Sequence, residues 1–486
     1  MSEIPPSSSH AVRAAGLTLA GQVGGLLLTL VATVMMVRSL GPAEYGSFTT
    51  LLAVLGLVML LPDFGLSPIL IRDLAARPSS AGEIVGSGLV VRSVLLLGVV
   101  GLFHMLAPLV GITGEKALMM DVLFTGGVFS GRILGLRNVL DGVYRARMTL
   151  GIPTAATLID GLVLVGGVLV VASYHPTLWA FVFVYALSPM PGFLVSATGL
   201  FHTLRGSLRV NWLSVRSLLK DAYPIAAYVG LTTLYANVDV LLLGQWRGLE
   251  EVGFYASALR LTSPLQFLPL AVVLALFPLQ AQVVDENGDK VRPPFMIGFK
   301  IVLSLGFAFA MGGLFTGSGI LDAVYGETFS VAGRTLSLLL GSTVFGFANL
   351  YVVSFNNATR RQSVNTLVFG AALVVNMALN IILIPGWSHE GAAFARLAAE
   401  VLTFLGLLTA IRSRVTLPSW SLALRMVLSG VAALALGWMA RPLHPIVNAF
   451  VVVLAVLVGL VVFRFFAWKE VLMVAEAIPA SMRRNH

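Results

Sequence analysis

The stretch from Ala15 to Ile71 reads AGLTLAGQVGGLLLTLVATVMMV (15–37), RSLGPAEY (38–45) and GSFTTLLAVLGLVMLLPDFGLSPILI (46–71). The first and third parts are apolar over about 20 residues or more, the length that a helix needs to cross roughly 30 Å of hydrocarbon. The middle part is short and contains one basic residue and a Gly-Pro pair. The stretch therefore predicts two membrane helices joined by a tight loop.

The same pattern recurs along the chain and predicts an all-α, polytopic membrane protein of about fourteen transmembrane helices. The predicted helices are Ala15–Val37, Gly46–Ile71, Ile84–Val110, Leu118–Leu136, Ile152–Ala172, Leu178–Phe201, Tyr223–Gln245, Gly253–Val284, Phe295–Thr316, Thr335–Asn356, Val364–Ile384, Gly391–Ile411, Ser421–Ala440 and Pro445–Phe466. On this segmentation, one set of alternate gaps holds 19 Lys and Arg and the other holds 5. Because short loops rich in Lys and Arg stay in the cytoplasm, both termini are predicted to be cytoplasmic.

Composition excludes the soluble classes of protein. Of 486 residues, 57% are hydrophobic and 11% charged, and the mean hydropathy is +0.92. The net charge of +9 follows from the loop bias, so no nucleic-acid partner is expected. Zero cysteines exclude thiol catalysis and cysteine metal sites, and the seven histidines show no metal-ligand spacing or acid partner pattern. The first apolar run is too long for a cleaved signal, so we expect a multi-pass protein of the cell (inner) membrane.

An internal echo predicts two halves. Gly41, Glu44 and Gly46, after helix one, recur as Gly248, Glu251 and Gly253 after helix seven. Six helices separate the copies, so both six-helix pseudo-repeats are predicted to face the same way, as in an alternating-access carrier. The predicted domains are an N-terminal bundle (1–201), a cytoplasmic amphipathic linker (202–222), a C-terminal bundle (223–412), and helices thirteen and fourteen with a cytoplasmic tail (413–486).

Several motifs carry a family resemblance. They are RSLGPAEYG (38–46), DFGLS (63–67), IRDL (71–74), EVGFYASALRL (251–261), NIILIP (380–385) and GAA (391–393). Together they resemble the polysaccharide-transporter branch, including Wzx-type flippases, of the multidrug/oligosaccharidyl-lipid/polysaccharide exporter superfamily. The resemblance implies a flippase that moves polyprenyl-diphosphate-linked oligosaccharides, such as O-antigen, capsule or exopolysaccharide units, from the cytoplasmic to the outer leaflet. It implies no enzyme activity and no cofactor, with a proton or sodium gradient as the driving force.

Such a substrate requires charges inside the membrane. A diphosphate and its sugars cannot cross hydrocarbon, so the protein must offer a cationic, water-filled cavity, and intramembrane ionisable residues are the candidates to line it. By helix rise, Asp63, Arg92 and Asp160 all lie about 12 Å from the cytoplasmic face and predict one polar layer. Arg92 is either its phosphate-facing cation or a residue paired with a carboxylate. The alternative is a snorkelling side chain or a static bridge to Asp63.

A second polar layer is predicted near the outer face. Its members lie within roughly 6 to 12 Å of the outer helix ends. They are Asp239, Arg260, Asn376, Asn380 and Arg396.

Two features of the second layer bear on coupling and gating. The resemblance implies that Asp239, Asn376 and Asn380 correspond to the sodium ligands of sodium-coupled relatives, and the two amides share a helix face. Arg396, however, would repel Na⁺. We therefore hypothesise an Asp239–Arg396 pair that opens and closes with proton coupling. A local Arg396–Glu400 bridge is the alternative.

Arg260 is the predicted substrate contact of the second half. It lies in a helix interrupted by Pro264, Pro269 and Pro278, where proline frees carbonyl groups and permits bending. The alternative is a structural arginine held by those carbonyls. Arg92, Arg260 and Arg396 are thus the candidate substrate-binding cations.

Two other functions compete with flipping. A membrane glycan polymerase or ligase uses the same lipid carriers, but the longest predicted outer loop is too short and too poor in charge to hold catalytic residues. A multidrug or cation antiporter of the same superfamily is the nearer alternative, and fourteen helices with cationic layers favour the anionic lipid substrate. Glycan polymerase machinery is a candidate partner of a flippase.

Overall fold

The computed structural model describes residues 8–63, 65–110, 112–131, 135–204, 208–282, 294–359, 361–412 and 420–466. These residues form α-helices and short 3₁₀ segments, with no β-strand among them. The chain divides into two compact units, residues 1–241 and 242–486. The all-α prediction is confirmed.

The first unit contains nine α-helices, counted over the residues that the structure describes. They are α1 (Ser8–Asp63), α2 (Leu66–Ala76), α3 (Ala81–Leu106), α4 (Glu115–Phe129), α5 (Arg137–Ala146), α6 (Gly151–Tyr174), α7 (Leu178–Leu187), α8 (Met190–Leu204) and α9 (Trp212–Arg247), the last of which extends past the division. The second unit continues with α10 (Leu249–Thr262), α11 (Phe267–Gln282), α12 (Pro294–Leu314), α13 (Gly317–Tyr325), α14 (Gly333–Ala358), α15 (Gln362–Ile411), α16 (Trp420–Met439) and α17 (Pro445–Val462).

Ten helical spans among the described residues are long and apolar enough to cross a membrane. Two of the ten each contain two predicted helices. In α1 the backbone leaves the helical conformation at Gly41, and in α15 it does so at Ser388. The α4 helix, at 15 residues, is shorter than a full crossing. The predicted number of fourteen transmembrane helices therefore stays a prediction.

The internal repeat has a structural counterpart. Gly41 adopts φ 71° and ψ 177°, and Gly248 adopts φ 94° and ψ 173°. Both glycines follow the helix that opens their copy of the repeat, and this backbone region is essentially restricted to glycine. The echo in the sequence thus marks two breaks between helices at which glycine adopts the same backbone conformation.

We expect Gly41→Ala and Gly248→Ala each to lower the free energy of unfolding by about 1–3 kcal/mol, because a Cβ strains this backbone conformation. Neither added Cβ would lie within 4 Å of a neighbouring atom, so the two variants test backbone strain without a steric clash. Thermal unfolding of the purified protein in detergent measures the effect. Gly98→Ala, on open space within α3, is the control and should be neutral or stabilising. Equal unfolding temperatures for all three variants would contradict the assignment.

Three membrane helices of the first unit are interrupted. Predicted helix two is divided between α1 and α2, where Gly65 has φ 75°. Predicted helix four (Leu118–Leu136) is helical only in α4, which ends at Phe129, and a new helix, α5, begins directly after the predicted end. Predicted helix six is divided between α7 and α8, next to Pro189 and Pro191. By contrast, α3 and α6, which correspond to helices three and five, are continuous.

The segments after these breaks share one hydrophobic cluster with the start of α3 and of α9. Its buried members include Leu70 of α2, Ile84 of α3, Val139 of α5, Leu200 of α8 and Val215 of α9. We call the set of α2, α5, α8, residues 81–91 and residues 212–222 the cytoplasmic body, because the predicted topology places this end of the bundle inside. Its apolar core packs these short helices against one another.

The predicted amphipathic linker helix is continuous with helix seven. The α9 helix runs unbroken from Trp212 to Arg247. Val215, Leu218 and Ala222 are buried in the cytoplasmic body, whereas Trp212 and Leu213 are exposed. Burial of the apolar stripe therefore holds this stretch against the bundle. The domain boundaries at 201, 222 and 412 stay predictions.

In the second unit, α12 and α14 form the largest core and α16 and α17 pack beside α12. Phe299 of α12 belongs to one buried cluster with Phe347 and Tyr351 of α14. A separate cluster joins Ala308 of α12 to Ala433 of α16 and to residues of α17. The two C-terminal helices thus extend the unit through an apolar contact of their own.

Candidate functional site

Arg92 lies at the centre of the first polar layer. Its side chain is 1% exposed, and Nη2 forms an ion pair with Asp63 Oδ1. Nη2 also donates to Ser67 Oγ at 3.1 Å, and Nη1 donates to the carbonyl oxygen of Gly135 at 3.0 Å. Ser67 Oγ in turn donates to Asp63 Oδ1 at 2.6 Å. Arg92 thus joins the breaks of predicted helices two and four and is paired with a carboxylate.

Asp160 belongs to a second buried ion pair, with Arg137. Arg137 is 1% exposed; its Nη1 pairs with Asp160 Oδ2 and its Nε lies 3.3 Å from Asp141 Oδ2. Asp160 Oδ1 accepts from the backbone N–H of Gly192 at 3.0 Å. The predicted layer of Asp63, Arg92 and Asp160 is therefore built from two separate pairs, one for each arginine.

Arg137 was not among the site residues predicted from the sequence. It was counted as a cytoplasmic loop residue because the predicted helix four ends at Leu136. One signal could have revealed it: Asp141 follows by four residues, which puts the two charges on one face of a helix. A Cβ on Gly131 would lie 3.3 Å from Arg137 Nε, so the side chain crosses the helix break at close range.

The formal charges of the first polar layer determine whether it can bind an anionic group such as a phosphate. Arg92 with Asp63 is neutral, and Arg137 with Asp141 and Asp160 has an excess of one carboxylate. Buried ions in a low dielectric need such compensation. In the described conformation, the N-terminal layer therefore holds the bundle together and does not present a free positive charge to a phosphate.

The amides predicted for the second layer are adjacent. Asn376 and Asn380 are fully buried in α15, and Asn380 Nδ2 donates to Asn376 Oδ1 at 3.1 Å. The expectation that they share a helix face is confirmed. Asp239, in α9, is also fully buried but belongs to the first unit. Its role in coupling stays a prediction.

The other charges of the second layer are partly exposed. Arg260, Arg396 and Glu400 are all of intermediate burial. Glu400 Oε2 accepts from Asn349 Nδ2 at 2.8 Å, which connects α15 to α14. The choice between an Asp239–Arg396 pair and an Arg396–Glu400 bridge stays open.

Predicted helix eight is interrupted beyond Arg260. The α10 helix ends at Thr262, and a 3₁₀ segment from Ser263 to Gln266 contains Pro264 before α11 begins. Proline cannot donate to the i−4 carbonyl, which explains the change of helix type. Arg260 lies one turn before this interruption, as the sequence predicted.

A polar cluster at the α15 kink was also missed. Ser388, with φ 50° and ψ −130°, donates from Oγ to Glu251 Oε2. His389 Nδ1 is 2.6 Å from Thr335 Oγ1, and its Nε2 is 3.7 Å from Glu251 Oε2. His389 therefore has an acidic neighbour after all, brought close by the fold from 138 positions away in the chain. The feature of the sequence that pointed to this cluster was Glu251, because it is a member of the internal repeat.

Within the described residues, no group of three or more His, Cys, Asp or Glu side chains could hold a metal ion. The polar groups instead pair with one another or with backbone atoms across helices. Polar groups paired in this way can hold helices together, can exchange partners when helices move, and can bind a charged solute electrostatically.

Two family models match the chain. One, described as polysaccharide biosynthesis protein, matches residues 11–284, which is more than half of the chain. The other, MatE, matches residues 224–382. Among curated proteins, "Probable low-salt glycan biosynthesis flippase Agl15" of Haloferax volcanii is 23% identical over 379 residues, which cover 76% of this chain and 77% of that protein.

Solved structures share the fold. Lipid II flippase MurJ, in an inward closed conformation, matches with a TM-score of 0.78 at 12% identity and covers 93% of this chain and 99% of its own. An inward-facing multidrug resistance MATE family transporter of the MOP superfamily matches with a TM-score of 0.61 at 16% identity, covering 80% and 94%. The fold similarity is thus greater to the flippase than to that drug transporter.

Proposed function

Because the chain belongs to the polysaccharide biosynthesis protein family, we propose that it flips a polyprenyl-diphosphate-linked oligosaccharide from the cytoplasmic to the outer leaflet by alternating access. The agreement between this family match and the fold-wide similarity to a lipid-linked glycan flippase carries the proposal. The glycan flippase of Haloferax volcanii, similar over three quarters of the chain, supports it. The protein is a multi-pass membrane transporter, not an enzyme.

Only a few residues can bind the diphosphate of the substrate within the membrane. The lipid tail can stay in the bilayer, whereas the diphosphate must be met by cations in a polar path. Arg260 and Arg396 are the better candidates for this contact because both are partly accessible, and Arg260 precedes a helix interruption. Arg92 is enclosed by its protein partners. A phosphate contact of Arg92 would require release from Asp63.

Drug or cation antiport is the second candidate function. The MatE match over residues 224–382 and the MATE structures favour it. That match covers only a third of the chain, and it lies mostly in the second half. Drug efflux would not explain the match of the polysaccharide family to residues 11–284.

Deletion of the gene tests the proposed function. We expect lipid-linked oligosaccharide to accumulate on the cytoplasmic leaflet, inaccessible to an added periodate or lectin probe, because a diphosphate does not cross hydrocarbon unaided. Radiolabelled sugar extracted with the lipid measures the accumulation, and the wild-type gene should reverse it. Hypersensitivity to drugs without trapped glycan would support antiport instead. Complementation with an Asp239→Asn gene in the same strain tests the coupling role of that residue.

We also propose a driving force, a partner and an orientation in the membrane. A proton gradient fits Arg396 better than a sodium gradient, since a guanidinium disfavours Na⁺ nearby. A glycan polymerase on the outer side would consume the flipped unit and is the candidate partner. The excess of Lys and Arg in alternate loops supports cytoplasmic termini in the cell membrane.

A further inference from the structure

The interrupted helices and the buried ion pairs of the first unit occur together. Helices two, four and six are broken, and each break is bonded to one of two buried arginines or to its carboxylate partner. Arg92 bonds both sides of the first break, through Asp63 and Ser67, and reaches the second through Gly135. A broken helix exposes backbone groups that must be bonded by other partners in a membrane.

The second and third breaks are joined in the same way. Arg137, the first residue of α5, pairs with Asp160 on the unbroken α6, and Asp160 accepts from Gly192 of α8 just beyond the third break. The rings of Phe129 and Phe193 also meet across these two breaks, with centroids 5.0 Å apart. The three breaks therefore lie at one level of the bundle.

Below this level, the cytoplasmic body has its own internal bonds. Tyr144 of α5 donates to the carbonyl oxygen of Ser196 in α8 at 2.9 Å, and Ser196 Oγ donates to Asp141 at 2.8 Å. Asn211 and Ser214 both donate to Glu83 Oε1, at 2.9 and 2.6 Å. Together with the hydrophobic cluster, these bonds make the body a packed unit.

From this arrangement we propose that the cytoplasmic body tilts as one piece about the three breaks, with Arg92 and Arg137 as the residues that hold the pivot. The α3, α6 and α9 helices cross the level unbroken, so they limit the motion to bending and prevent separation. Backbone breaks absorb rotation at low cost, whereas a packed core does not deform continuously. The inference rests on the proposed function only in that the tilt would open and close the cytoplasmic side.

Arg137 acts here as a positioning residue. Its guanidinium spans the break of helix four and reaches the carboxylate that orients Gly192. Removing it should loosen the breaks and leave the cytoplasmic body packed. A role in general stability alone would loosen the body as well.

Hydrogen exchange of the protein in lipid nanodiscs, followed by mass spectrometry, tests the proposal without any transport assay. In the variant Arg137→Gln/Asp141→Asn/Asp160→Asn, which removes the arginine and both of its carboxylate partners, amides at 127–131 and 186–192 should exchange about tenfold faster, the effect of losing roughly one hydrogen bond. Amides at 68–76, 139–146 and 194–204 should keep the wild-type rate. Arg145→Gln, on the exposed side of α5, is the control and should change neither set.

Faster exchange throughout the cytoplasmic body, or unchanged exchange at the breaks, would overturn the proposal. Should this triple variant not yield folded protein, Arg137→Lys keeps the charge while losing the planar fork, and the same two sets of amides decide. Because substrate is absent from the measurement, a failure here is distinct from a failure of the flipping assay.

Discussion

Arg92→Ala is expected to lower the free energy of unfolding by about 3–5 kcal/mol and to abolish transport, because it leaves Asp63 charged and without its cation in the interior. Arg92 is 1% exposed and supplies bonds to three segments. Thermal unfolding in detergent, with the yield of folded protein, measures the stability. Flipping in proteoliposomes measures the activity.

The charge-balanced variant Arg92→Gln/Asp63→Asn separates a bridge from a substrate contact. Removal of both charges removes the cost of an unpaired ion, so stability should return to within about 1–2 kcal/mol of wild type. We expect transport to return with it, because the Arg92 side chain is 1% exposed and both of its terminal nitrogens bond to Asp63, Ser67 or Gly135. A stable double variant without transport would instead assign a direct phosphate contact to Arg92, the other interpretation of the sequence.

Arg137→Met is expected to destabilise the protein by about 3–5 kcal/mol, since two buried carboxylates, Asp141 and Asp160, would lose their shared cation. Methionine retains much of the volume, so the charge is the variable under test. Denaturation followed by tryptophan fluorescence measures the change. Survival of wild-type stability would show that these carboxylates do not depend on Arg137.

Arg145→Met is the matched control for this prediction. Arg145 lies eight residues later in the same short helix and is exposed. It contributes the same charge to the same predicted cytoplasmic segment, so both variants alter the loop bias equally. Exposed substitutions of this kind usually change stability by about 0.5 kcal/mol or less. A comparable loss for both arginines would point to disturbed insertion as the cause.

The first polar layer shows which contacts can be predicted from the depth of a residue along its helix and which cannot. Counting residues from the ends of the predicted helices placed Asp63, Arg92 and Asp160 at the same depth in the membrane. In the structure, Arg92 and Asp63 form an ion pair. Counting could not find the partner of Asp160. Arg137 reaches Asp160 only because helix four breaks and lets the side chain fold back past Gly131, and the apolar pattern continues through that break.

The kink of α15 illustrates the same limit. Hydropathy predicted two helices there, Val364–Ile384 and Gly391–Ile411, and made no prediction for the contacts of the residues between them. In the structure, Ser388 and His389 are buried against Glu251 and Thr335. A loop between two helices has no periodic signal for burial, so its contacts cannot be predicted from local sequence.

By itself, the sequence determined the helical class, the membrane environment, the predicted orientation and the repeat at Gly41 and Gly248. These follow from hydrocarbon thickness, from the distribution of Lys and Arg, and from a backbone conformation that glycine alone tolerates. Tertiary structure decided which buried charges pair and which helices are interrupted. Those properties depend on segments distant in the chain meeting in a low dielectric, where each ion must find its partner.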